Sequence, residues 1–196
     1  MPGRVAVAVG VCMILVVSAC GGGGTADTTE AGEAPGGNLF GDDFESVCRG
    51  TAVPSATAYE SGTPGIHPVL VFSGEHPEYS QDFTTLPDGW VAQYPDLQAT
   101  ELVACIDRAS ATLADTCTGY EVDDLEGDYS VETYDAVYEI VVYAATTGAE
   151  LDRTTLDVPS AGCPSFVLFT EGEYVRAWYE PFGDRLEAFL APHVAG

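Results

Sequence analysis

The sequence contains no lysine. All six of its basic residues are arginines, and they stand against 31 Asp and Glu for a formal charge of −25. A protein that binds a phosphate backbone needs a basic surface, so nucleic acid is excluded as a partner. A long hydrophobic run is also missing. The longest mainly apolar stretch is Val5–Ala19, shorter than the roughly 20 residues an ordinary spanning helix needs. There is no C-x-x-C pair of the kind structural zinc sites use. There is no G-x-S-x-G nucleophile elbow, and no phosphate-binding loop follows a strand. Histidine is limited to His67, His76 and His193. Arginine without lysine fits a GC-rich genome, and high acidity fits life in salt, so neither names a partner.

What is present starts with the leader. Arg4 and the amino terminus form a short positive region, Val5–Val17 an apolar core, and Val17-Ser18-Ala19-Cys20 closes it. The order is that of a secretory signal. Its ending resembles the lipobox of bacterial lipoproteins. That resemblance implies cleavage before Cys20, acylation of Cys20, and a membrane anchor on the extracytoplasmic face. Residues 1–19 are therefore read as signal peptide, and 20–38 as the lipidated Cys with a Gly-rich tether. Gly21–Asn38 has no aromatic and no large aliphatic residue, so it cannot offset its ordering entropy by burial. As a flexible chain it reaches roughly 20–25 Å. Residues 39–196 are read as a single globular domain, with hydrophobic residues enough for a core.

Cys12 leaves with the leader and Cys20 takes lipid, which leaves Cys48, Cys105, Cys117 and Cys163. An even number in an exported domain reads as two disulfides. Four cysteines allow three pairings. The favoured one is Cys105–Cys117 with Cys48–Cys163, because Cys105 and Cys117 flank what reads as a strand–loop–strand unit.

His67–Ser73 reads as a strand, and Gly74 as the opening of a polar loop that runs with its prolines to Gln98. Leu102–Ile106 and Cys117–Glu121 read as two further strands. Val131–Ala145 alternates at period two through Tyr134, Ala136, Tyr138, Ile140, Val142 and Ala144. A helix also fits that spacing, but the Val, Ile and Tyr content favours a strand. Thr147-Gly148 turns the chain into Leu151–Val158, and Phe166–Thr170 with Tyr174–Tyr179 reads as a second hairpin. Phe182, Leu186, Phe189 and Leu190 share one helical face over Phe182–Ala191, with Pro181 at its first turn and Pro192 at its end. These elements predict an α+β fold: an antiparallel sheet of about six strands packed by a C-terminal helix and stabilised by disulfides.

Short elements stand in a fixed order along the domain: Cys48-Arg49-Gly50, Ala56-Thr57-Ala58-Tyr59, Gly65-Ile66-His67-Pro68-Val69, Leu102-Val103-Ala104-Cys105, Cys117-Thr118-Gly119-Tyr120, Thr147-Gly148 and Cys163-Pro164. From about Phe44 to Val194 the chain resembles an uncharacterised family of exported bacterial domains. The resemblance implies one domain and a structural role for all four cysteines. It implies no activity, and the acidity of this chain departs from the family.

Candidates for chemistry are few. His67, just before Pro68 at a strand start, reads as packed in the fold before it reads as reactive. His193 reads as solvated. Asp123, Asp124, Glu126 and Asp128 belong to the densest acidic run, Glu121–Asp128, which lacks the EF-hand order and reads as a solvated loop with at most weak cation binding. No catalytic centre, metal or cofactor is expected. The sequence points to a non-catalytic binding or interaction module held at the membrane. A structural envelope component is the alternative. An unrecognised hydrolase would require a cleft joining His67 to acidic residues.

Overall fold

A computed structural model describes residues 38–121 and 127–196. The leader, Cys20, nearly all of the tether, and Asp123, Asp124 and Glu126 of the acidic run lie outside the described residues.

The chain opens with a short helix, α1 (Gly41–Glu45), running into a 3₁₀ turn at Ser46–Arg49. Strands follow as β1 (Val69–Glu75), β2 (Glu78–Gln81), β3 (Leu102–Tyr120), β4 (Tyr129–Ala144), β5 (Ala149–Val158) and β6 (Val175–Tyr179), and α2 (Gly183–Val194) closes the chain. They form one sheet in the order β2-β1-β3-β4-β5, with β6 also paired to β4. β3 runs along one edge of β4 for its whole length. The opposite edge is shared, β5 taking Ala136–Ala144 and β6 taking Ser130–Tyr134.

The expected α+β class holds, with a six-stranded sheet, a closing helix and two disulfides. The sheet is mixed, however, and not antiparallel: β1–β3 and β4–β6 are parallel pairs. Parallel neighbours need a long crossover, usually a helix; here the crossovers hold β2 and a 3₁₀ turn in one case and β5 in the other, so no strand–helix–strand pattern announces the parallel pairs. The second hairpin is also absent, since only Val175–Tyr179 is strand and it pairs with β4. Gly74 does not open a loop. It lies within β1, whose turn to β2 is His76-Pro77. A Cβ on Gly74 would meet the Glu78 carbonyl oxygen at 2.0 Å, so the hairpin backbone requires glycine there.

Both sheet faces are covered at the β1 end. On one, Leu186, Leu190 and Val194 of α2 are fully buried against Val69, Leu102, Ala104, Ile140 and Val142. On the other, Phe44 and Val47 pack on Leu70, Phe72, Val103 and Cys105. This second layer explains why Val141, on the supposedly polar face of β4, is buried. The helix also runs past its expected stop, with Pro192 inside its last turn. Proline removes one hydrogen bond, but the extra turn brings Val194 into the core, worth about 1.5–3 kcal/mol.

The disulfides are Cys48–Cys105 and Cys117–Cys163, which corrects the expected pairing. The reason is geometric. β3 is one continuous strand, with no loop between its cysteines. At about 3.3 Å per residue, Cys105 and Cys117 stand roughly 40 Å apart, far beyond the 5.6 Å Cα separation of each bridge. Cys105 faces the N-terminal layer and staples it down, while Cys117 binds the loop before β6. Two bridges mark an oxidising, extracytoplasmic compartment.

Candidate functional site

The far halves of β3 and β4, together with β6, extend beyond α2 as an arm. Near its tip, one face of the arm is covered by residues from the loop before β6. There the Tyr120 hydroxyl donates to the Pro164 carbonyl at 2.7 Å, and Phe169 packs on Tyr120 and Tyr129. The other face has no layer over it among the described residues. Register places Leu113, Tyr134 and Tyr179 side by side across β3, β4 and β6. The two tyrosine rings stack at 5.2 Å. Leu113 is 51% exposed, and from Ala109 to Thr116 β3 is exposed throughout. The pairing of β3 with β1 ends at Asp107, so the outer edge of residues 109–116 has no strand beside it among the described residues.

Where the arm meets α2, the same face forms two adjoining grooves of about 540 and 800 Å³ that share Asp82, Tyr138 and Phe182. Arg108 sits where β1 leaves β3. Its guanidinium lies 4.4 Å from the centre of the Tyr179 ring and pairs with Glu75. Burial raises the pKa of the Tyr138 hydroxyl, with the Arg108 charge opposing, and the Phe182 ring packs on Tyr138 at 4.6 Å. On the far wall Asp82 accepts the Thr84 amide at 2.8 Å and the Thr84 hydroxyl at 2.5 Å. That turn projects Phe83, 84% exposed, toward solvent. Across both grooves five carboxylates face two guanidinium groups. Aromatic rings flanked by carboxylates attract cations, and Arg108 already occupies one such position from within the chain.

The residues singled out from sequence lie elsewhere. His67 is 4% exposed. Its Nδ1 donates to Glu101 Oε2 at 2.7 Å, its Nε2 donates to the Thr63 carbonyl at 2.9 Å, and Tyr59 packs edge-on against it. Both ring nitrogens are engaged, so neither is free to accept a proton from a substrate. His193 is half-buried and bonded to Asp152 at 3.0 Å, not solvated as expected. Asp128 is exposed at the start of β4, and its acidic neighbours Asp123, Asp124 and Glu126 lie outside the described residues. Asp115, Cys117 and Cys163 cluster closely enough to suggest metal ligands, but both sulfurs are spent in the disulfide.

Sequence reading missed Arg108, Tyr138, Tyr179 and Phe182 as a group. Tyr138 and Phe182 were legible only as core positions. The one available signal was the placing of Tyr134 and Tyr138 on the same face of β4. Comparison of the chain with protein-family models, with curated proteins and with solved structures found no match.

Proposed function

We propose that this chain is a lipoprotein of the extracytoplasmic membrane face, anchored through acylated Cys20, whose domain is a non-catalytic module that binds a protein partner. The observation that carries the reading is the arm face: aromatic and apolar side chains with no layer above them among the described residues, continuous with the groove beneath Phe182. Surfaces of this kind mark interaction sites. The engaged ring of His67 weighs against the hydrolase alternative, which needed that imidazole in a cleft.

Two measurements test the two halves of the proposal. Cys20→Ala is expected to shift the protein from the membrane to the soluble fraction, or to leave the leader uncut. Normal membrane retention of that variant, with no lipid on the wild type, overturns the anchor. For the module, a photocrosslinking residue in place of Leu113 in intact membranes is expected to give a discrete adduct, whereas one in place of Glu187, exposed on α2, gives none. No adduct from Leu113, or the same pattern from both positions, overturns the binding role.

A further inference from the structure

The reading of the domain as a protein-binding module leaves the mode of binding open, and the edge of β3 supplies one. We propose that the partner is bound as a short, extended, basic segment that adds a strand along the free outer edge of β3 at residues 109–116. Three observations lead there. The first is the edge itself: it continues in line with β1, is exposed on both faces, and has no backbone partner on its outer side among the described residues. Unpaired edges are templates for strand addition, and folds normally guard them with charges or prolines. Ala109-Ser110-Ala111-Thr112-Leu113-Ala114 carries neither, and the single charge in residues 109–116, Asp115, is of the sign that attracts a basic segment. The register shifts beside Ala109 and Ala114 bracket a regular stretch, Ser110–Leu113. Bulges bend an edge, which limits the addition to one short segment and disfavours open-ended sheet growth.

The second observation is charge. At −25, two copies of this chain repel, whereas a cationic segment is drawn in. The third is the groove. A strand added beside Ser110–Leu113 places every second side chain on the face that carries Arg108 and Leu113. Basic side chains there extend over rings and carboxylates that already hold a guanidinium. The preferred ligand therefore alternates basic with small or β-branched residues.

The test uses the mature lipidated chain in detergent and an eight-residue peptide of alternating Lys and Thr. Its controls are the same peptide N-methylated at alternate residues, which cannot complete a ladder, and its Glu-Thr counterpart. The Lys-Thr peptide is expected to bind at least tenfold more tightly than either control. It should also slow amide hydrogen exchange in residues 109–116 and leave β5 unaffected. Glu78→Gln at the groove should weaken it several-fold. Equal affinity of the N-methylated peptide, unchanged exchange in residues 109–116, or no binding of the Lys-Thr peptide overturns strand addition. If Leu113 still crosslinks a partner in membranes, that result removes the strand mode and leaves the binding module standing. Loss of the crosslink as well removes the module itself.

Discussion

His67 shows how one buried residue ties distant parts of this chain together. Its ring joins Glu101 and Thr63, and its backbone amide donates to the Val194 carbonyl at 2.9 Å. Both ring partners are acceptors when Glu101 is ionised, so the doubly protonated imidazolium satisfies both. Burial lowers the His67 pKa. The bond to Glu101, the Thr63 carbonyl and the Glu101 charge outweigh it, and the net shift is upward from 6.5. A folded-state value above the unfolded one gives stability that is fully present below about pH 6.5 and lost as pH rises through the raised value. Replacing His67 by Ala should cost about 2–3 kcal/mol near pH 6, because it leaves the Glu101 carboxylate without its partner. His67→Gln keeps a hydrogen-bonding side chain but cannot titrate. The gap in melting temperature between wild type and His67→Gln should therefore narrow steadily from pH 6 to about pH 9. A constant gap across that range contradicts a charged His67. The sequence showed a histidine at a strand start and favoured packing. It did not show the partner, since Glu101 is 34 residues away and no local pattern announces a contact of that range.

At the scale of elements, the legible strands were those with buried residues: β1 and the start of β3 as continuous apolar runs buried on both faces, and β4 by its alternation. β4 alternates because its even positions from Ala136 to Val142 pack in the core that α2 covers, and α2 itself shows the helical spacing of its buried stripe. The middle of β3 gave no signal for the opposite reason. Ala109–Thr116 is exposed on both faces, so nothing in its burial selects apolar or polar residues at period two, and the strand reads as a loop between two short apolar pieces. The wrong cysteine pairing followed from that single missed continuity. The observed pairing makes a separable prediction. Cys48–Cys105 holds the N-terminal layer, whereas Cys117–Cys163 holds the loop over the arm. Peptide mapping without reduction should recover these two bridges and no free thiol. Replacing Cys117 and Cys163 together by Ala should cost roughly 2–5 kcal/mol. Hydrogen exchange should rise in residues 159–174 and remain slow in the layer around Phe44 and Val47. Faster exchange spread evenly over both regions would mean that the two staples do not act on separate layers.

The whole molecule is governed by its charge. Among the described residues Arg49, Arg108 and Arg176 pair with Glu45, Glu75 and Glu173, and Arg153 pairs with both Glu139 and Glu150. Arg185 donates to the Asp157 carbonyl instead. With 31 acidic residues in the chain against six arginines, most carboxylates have no cationic partner and repel one another through solvent. Their repulsion acts over about 30 Å at 0.01 M salt and about 3 Å at 1 M, and it burdens the compact state more than the expanded one. Acid has a bounded effect in the same direction. Protonating crowded carboxylates relieves repulsion, and His67 adds stability below 6.5. Below about 4.5 the balance turns. The Glu150, Asp152 and Glu173 carboxyls are held below their ordinary values, by Arg153, by His193 and by the Thr170 amide respectively. A depressed pKa gives stability that is lost as pH falls through it. The two trends place the maximum between about pH 4.5 and 6.5. Thermal melting should rise from 0.01 M to 1 M NaCl at pH 8, and the rise should shrink at pH 5, where part of the repulsion is already neutralised. A curve at pH 8 that is flat or falls with NaCl would mean the carboxylates already stand far enough apart for water alone to screen them.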